Sequence, residues 1–235
     1  MSRDDARIRE QMEYYRERAP EYDDWYYQRG RYTVGEHRRR EWQEEIARAH
    51  AVLRSLGPVE EALELACGTG IWTEPLLPVA DRITAVDASP ETIALARRRV
   101  RSDRRVCFEA ADLFAYQPAR RFDLISFTFW LSHVPPSRLS GFFALLQRCL
   151  RPGGVLFALD QRATADKRTA PDNRQQRDLA DGRTYEIVKI YYTKPELEAL
   201  FAHHGFRVEV TTTQTLWIAV ARRHPSDSGV HRTPV

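Results

Sequence analysis

Two carboxylates around a glycine turn carry the first chemical signal. Glu64 opens the run Glu64-Leu65-Ala66-Cys67-Gly68-Thr69-Gly70, and Asp87 closes the later run Ile83-Thr84-Ala85-Val86-Asp87. Glycine at 68 and 70 removes Cβ atoms where a ligand must approach the backbone, and it permits positive φ in the turn. A helix expected over 71–79 aims its free N–H groups at the same place. A carboxylate at the tip of the second strand, here Asp87, is the usual ribose contact of a nucleotide site. A dinucleotide site of the Gly-x-Gly-x-x-Gly kind calls for a third small residue where Thr73 stands. More than one kind of nucleotide cofactor, a nicotinamide among them, stays open at this point.

The second signal lies past the strand Phe122–Phe127, in Thr128-Phe129-Trp130-Leu131-Ser132-His133-Val134-Pro135. In doubly wound sheets the carboxyl ends of the central strands surround the ligand, which puts His133 beside it. A neutral imidazole there can take a proton from a hydroxyl or orient it; packing beneath a neighbouring segment is the alternative. Further on, Arg177, Arg183 and Lys189 flank a polar stretch. Arginine forks suit carboxylate or phosphonate oxygens, although charges on a solvated loop look the same in sequence.

The elements that must hold these residues follow from pattern and punctuation. At 235 residues the chain suits one α/β domain. Residues 4–18 carry Ile8, Met12 and Tyr15 at near-helical spacing, and Pro20 is expected to end that helix. Residues 24–32 are aromatic, with Trp25, Tyr26, Tyr27 and Tyr32, and could line an acceptor pocket or form the underside of a lid. A charged helix follows to Leu56, stopped by Gly57-Pro58. His37 and His50 are expected on its exposed face. Ser89 and Pro90 open a helix to about Arg101. Strands are expected at 106–109, 122–127 and 155–160, a polar loop at 161–184, and a strand at 184–192. A helix begins at Pro195, and an antiparallel pair, 206–210 and 216–221, closes the fold. Residues 1–32 read as a lid segment, 33–223 as the main domain and 224–235 as a disordered tail.

Composition narrows the class. A formal net charge of +3 with arginines spread along the chain argues against a nucleic-acid surface. Cys67, Cys107 and Cys149 suggest neither a disulfide framework nor a metal cluster. No run approaches a membrane span and no secretory signal is visible at the N-terminus, so a cytoplasmic protein is expected.

In full the chain resembles the class I methyltransferases, whose first motif reads acidic-x-Gly/Ala-x-Gly-x-Gly and matches Glu64, Ala66, Gly68 and Gly70. The turn Leu150-Arg151-Pro152-Gly153-Gly154 and the N-terminal pattern of Tyr15, Ala19, Tyr22 and Asp23 match the same family. The resemblance implies a Rossmann-like, seven-strand, mostly parallel sheet with helices on both faces. It implies S-adenosyl-L-methionine as cofactor, held by Tyr15, Tyr22, Glu64, Ala66, Gly68, Gly70, Asp87, Ala88, Asp112, Leu113 and Phe129, with Asp112 on the adenine. It implies His133 as catalytic residue and no metal. The segment 181–189 is similar to that of a bacterial phosphonate O-methyltransferase, which implies acceptor contacts from Arg177 and Lys189, with Tyr26 and Trp130 beside them. The expected partner is a small-molecule acceptor, anionic or hydroxylic, on a monomer or homodimer without nucleic acid or membrane. N- or C-methylation, a nicotinamide-dependent reductase and a scaffold that binds cofactor without turnover remain as alternatives.

Overall fold

The computed structural model describes residues 3–223; the expected tail at 224–235 lies outside them. Helix α1 spans Arg3–Tyr26 and α2 spans Glu36–Arg54. Strand β1 (Val59–Leu65), a four-residue helix α3 (Thr73–Leu76), β2 (Ala80–Asp87), α4 (Pro90–Arg99) and β3 (Val106–Ala110) follow. Then come β4 (Phe122–Thr128), α5 (Pro136–Cys149), β5 (Leu150–Gln161), β6 (Arg174–Asp178) and β7 (Thr184–Val188). Helix α6 (Lys194–His203), β8 (Phe206–Thr212) and β9 (Leu216–Arg223) complete the order.

Seven strands form one sheet in the order β3-β2-β1-β4-β5-β9-β8. Pairings from β3 through β5 are parallel, and β9 runs antiparallel to both neighbours. This is the Rossmann-like sheet the resemblance implied. Its central strands are largely buried on both faces, as a sheet covered by helices on both sides must be. Phe142 and Phe143 of α5 and Phe201 of α6 bury against one face, with Leu65 and Phe127. Ile46 and Leu53 of α2 and Ile93 and Ala96 of α4 bury against the other. The chain reverses direction across the sheet between β1 and β4, the topological switch point at which such folds bind ligands.

Three expectations fail for physical reasons. The first helix does not stop at Pro20 but runs through it to Tyr26. Proline there removes one backbone bond, yet tertiary contacts hold both halves: Gln11 bonds to His133 and Val188, while Asp23 takes Thr69 and pairs with Arg99. The helix after the glycine turn shrinks to Thr73–Leu76. The stretch 161–184 is not simply a loop, because β6 lies within it and pairs antiparallel with β7. Its lack of apolar residues hid it: the hairpin is held by backbone pairing and by α1, whose Tyr14 packs on Leu179 and Ile187.

Gly70 sits at φ +81, and a Cβ there would meet Ala96 Cα and Cβ at 2.9 Å. The glycine turn is thus seated directly on α4. Gly70→Ala is expected to lose on the order of 2–4 kcal/mol in denaturant unfolding, from overpacking and left-handed φ together. Gly153→Ala, at φ +78 in open space, should lose only the conformational part, about 1–2 kcal/mol. Equal losses at the two positions would overturn the packing argument.

Candidate active site

The site is built at the carboxyl ends of β1, β2 and β4. After β1 the backbone turns through positive φ at Ala66 (+56), Gly68 (+52) and Gly70 (+81); after β4, Phe129 stands at +52. Two non-glycine residues in the left-handed region thus flank the switch point, and such strain persists only where surroundings impose it. Asp87 ends β2 and draws this loop together. Its Oδ2 accepts the Gly68 N–H at 2.8 Å, and its Oδ1 accepts the Ser89 N–H and the Thr92 hydroxyl, each at 3.0 Å. Burial holds its carboxyl above the usual range against these three donors and the Ala88 backbone N–H. Oδ2 carries one bond where a carboxylate oxygen can take two, so an acceptor position remains for a ligand.

A cavity of about 600 Å³ opens here, within the range of small-molecule and cofactor sites. Ala66, Gly68, Asp87 and Ala88 line one side; Asp112, Leu113 and Phe129 line another; Tyr15 and Tyr22 of α1 cover it. A Cβ on Gly68 would meet nothing within 4 Å, which leaves the floor open for close approach. A ribose-bearing cofactor fits this donor and acceptor set.

Two residues expected on the cavity wall lie beneath it. Glu64 is buried under the turn, where the Thr73 hydroxyl donates to its Oε2 at 2.5 Å and Oε1 has no partner. Burial pushes its carboxyl up to about 8, with Thr73 opposing and Asp87 adding to the rise. Thr73, which stands in the place of a third glycine, is therefore the partner of the first motif residue. Gly70 contributes the contact with α4 instead of a ligand contact.

His133, on the short helical turn Leu131–His133, is fully enclosed. Its Nδ1 lies 2.7 Å from the Val188 carbonyl oxygen, and its Nε2 lies 2.8 Å from the Tyr15 hydroxyl. A carbonyl only accepts, so Nδ1 carries the proton and Nε2 accepts from Tyr15. Burial, then Lys189, Arg177 and Arg18, push the imidazole well below its ordinary 6.5, against the Val188 bond. It stays neutral. Gln11 bridges the same two segments, donating to the His133 carbonyl at 3.1 Å and accepting the Val188 N–H at 3.0 Å.

Tyr15, Tyr22, Phe129 and His133 also form part of a second cavity, about 280 Å³, between α1 and the β6–β7 hairpin. Arg177 and Lys189 line it. Lys189 is buried, donates to Ser132 Oγ at 2.8 Å and pairs with Asp160 at 3.3 Å. Arg183 does not reach it; it lies outside, paired with Glu17 and Asp181. Two further expectations need correction. Tyr26 lines neither cavity, because its ring is buried against Trp42 and Phe129. Trp130, expected beside Arg177 and Lys189, faces the larger cavity and not the smaller one that those two residues line, and packs on Phe114 and Phe142. His50, expected to be exposed, stacks edge-on against Trp72 at 4.7 Å.

Sequence reasoning passed over Arg18, Tyr14, Gln161 and Gln176, all on the smaller cavity. For Arg18 a signal existed. Tyr14, Tyr22 and Trp25 stand four before, four after and seven after it, one face of a single helix. The rings of Tyr14, Tyr22 and Trp25 lie around this guanidinium.

A parallel sheet with one antiparallel strand, a glycine turn and an acidic tip on β2 defines a nucleotide-cofactor enzyme of the doubly wound class. The methyltransferase-domain family model matches residues 34–210. The solved DhpI–SAM–HEP complex superposes with a TM-score of 0.79 at 33% identity, covering 94% of this chain and 99% of that one. The N-methyltransferase NodS from Bradyrhizobium japonicum WM9 gives a TM-score of 0.61 at 21% identity, over 78% and 96%, a likeness of fold alone. Among curated proteins, nodulation protein S of Rhizobium tropici is 34% identical over 113 residues, 46% of this chain and 47% of its own. The ubiquinone biosynthesis O-methyltransferase of Xanthomonas campestris pv. campestris (strain B100) is 33% identical over 108 residues, 43% and 42%. The chain spans under half the length of these curated relatives. It belongs to the class I S-adenosylmethionine-dependent methyltransferase family, and S-adenosyl-L-methionine is its cofactor.

The buried Glu64 carboxyl has a consequence for stability. Its folded-state pKa of about 8 lies above the ordinary 4.5, so between these values the folded protein holds a proton that the unfolded chain releases. Stability from this group is complete below about pH 4.5 and is lost as pH rises through about 8. Glu64→Gln, which mimics the protonated acid, is expected to gain stability over the wild type across that window. Parallel melting-temperature curves from pH 5 to 9 (roughly the span of the two values) would refute the assignment.

Proposed function

We propose that the enzyme methylates an anionic oxygen, a carboxylate or phosphonate, on a small molecule. What carries the reading is the environment of His133. A base must accept a proton, and this imidazole would become a cation while buried beside Lys189, Arg177 and Arg18. A hydroxyl acceptor would demand that step. An ionised acceptor oxygen demands none, and the same cations that penalise the imidazolium attract it. His133 then serves to hold the Tyr15 ring at the boundary between the two cavities. The capture of DhpI with both SAM and HEP is in keeping with paired cofactor and acceptor spaces.

In this reading the cofactor supplies an electrophilic methyl group, and the chain supplies position and exclusion of water. Ala66, Gly68, Asp87, Ala88, Asp112, Leu113 and Phe129 hold the cofactor, while α1 acts as a lid through Tyr15 and Tyr22. Arg177 and Lys189 fix the acceptor so that its oxygen lies in line with the methyl carbon. Holding two reactants in attack geometry can account for roughly 7–11 kcal/mol of the barrier.

Two experiments bear on this. Asp87→Ala is expected to weaken S-adenosylhomocysteine binding at least tenfold in calorimetry, the loss of about one charge-assisted hydrogen bond of 1.5–3 kcal/mol; unchanged affinity in a folded variant would remove Asp87 from the cofactor site. With an acceptor found by screening carboxylates, phosphonates and phenols, Arg177→Ala should raise the acceptor KM about tenfold or more. His133→Ala should then cost far less than the 10²–10⁴-fold in kcat typical of a lost general base. A nearly dead His133→Ala enzyme beside an Arg177→Ala enzyme of normal KM would overturn the anionic acceptor.

A further inference from the structure

Arg18 is 7% exposed, and its guanidinium lies 5.4–5.6 Å from the ring centroids of Tyr14, Tyr22, Trp25 and Tyr32. Among the described residues no carboxylate pairs with it, and its Nε is buried without a hydrogen-bond partner. Arg177, across the smaller cavity on β6, is half-buried; among the described residues it too has no ion pair, and its Nε is buried without a partner. The other cations on this cavity are neutralised, Lys189 by Asp160 and Arg31 by Glu21. The carboxylate of Asp178 lies at the exposed rim.

A buried charge without a counter-charge is costly, and aromatic faces offset only part of that cost. Two uncompensated charges facing one cavity, one of them buried, call for a ligand that carries the missing negative charge. Guanidinium forks match planar or tetrahedral oxyanions, and Arg18 reaches the cavity from α1 while Arg177 reaches it from the hairpin.

We propose that Arg18 and Arg177 together form the seat of a doubly charged oxyanion, which bridges helix α1 and the β6–β7 hairpin. This rests on the anionic-acceptor reading and deepens it: a dianionic head group matches the two uncompensated charges, and a monocarboxylate leaves one of them bare. Arg18 stands in the same helix as Tyr15 and Tyr22, so the segment that covers the cofactor cavity also grips the acceptor. Acceptor binding and closure of α1 are then one event.

The test uses the full chain loaded with S-adenosylhomocysteine and titrated with inorganic phosphate, inorganic sulfate or acetate, read by the fluorescence of Trp25 and its neighbours. Sulfate should bind at least tenfold more tightly than acetate. Phosphate should tighten between about pH 6 and 8 as it takes its second charge, while sulfate stays constant. Arg18→Gln should weaken sulfate at least tenfold and leave S-adenosylhomocysteine affinity within twofold; Arg183→Gln, at an exposed ion pair, should change neither. If Arg177→Gln abolishes sulfate binding and Arg18→Gln does not, the inference on Arg18 fails and the anionic acceptor stands. If the wild type binds none of the three anions, both fail. Should Arg18→Gln not fold, the wild-type comparison decides alone: equal affinity for sulfate and acetate, or phosphate binding flat with pH, overturns the dianion seat.

Discussion

The hydrogen bond from Tyr15 to His133 is the contact on which the site depends. It joins residues 118 positions apart, and the other ring nitrogen reaches Val188, a further 55 residues along. One imidazole therefore ties α1, the end of β4 and the hairpin strand β7 to one another. Its neutrality is a condition of that arrangement. A protonated ring would have two donors, and Tyr15 could no longer donate to Nε2. Burial and the surrounding cations keep the proton off, so the electrostatics that hold the site together also bear on the chemistry it can perform.

The two cavities have opposite characters, and the division follows the secondary structure. The larger one is floored by strand ends and by the acidic tip of β2, groups fixed by the sheet. The smaller one is walled by α1 and the hairpin, elements outside the sheet that carry the arginines. Tyr15, Tyr22, Phe129 and His133 form the partition shared by both. Strain gathers at the same place, since Ala66 and Phe129 hold positive φ on either side of the switch point. Asp23 adds a tie between the halves: it accepts the Thr69 hydroxyl at 2.7 Å and pairs with Arg99 of α4. The glycine turn and the covering helix are in this way mechanically linked.

Much of the fold was legible because local chemistry and global position agree. Apolar runs such as Val155–Leu159 belong to strands covered on both faces, and turn glycines, Ser89 and Pro90 mark their connections. The glycine turn and the acidic tip were legible for the same reason: Gly68 and Asp87 stand at strand ends, where position in sequence gives position in space. The order of motifs along the chain was enough to identify the family.

Other features were settled by contacts between distant residues, which periodicity does not record. Pro20 should end a helix, yet α1 continues because Gln11 and Asp23 anchor its two halves to different parts of the domain. The strand β6 has no apolar pattern and exists through pairing with β7. Tyr26 and Trp130 are both aromatic, and only packing sends the first into the core and the second to the wall of the larger cavity. The division among the basic residues is of the same kind. Arg183, Lys189, Arg177 and Arg18 are alike in sequence, but the tertiary structure gives the first two acidic partners and, among the described residues, leaves the last two without them. By itself the sequence determined the sheet, the glycine turn and the cofactor class, because these depend on residue type at chain-local positions. Which charges remain uncompensated, and where they meet, only the tertiary structure decided, because a counter-charge is a matter of distance in space.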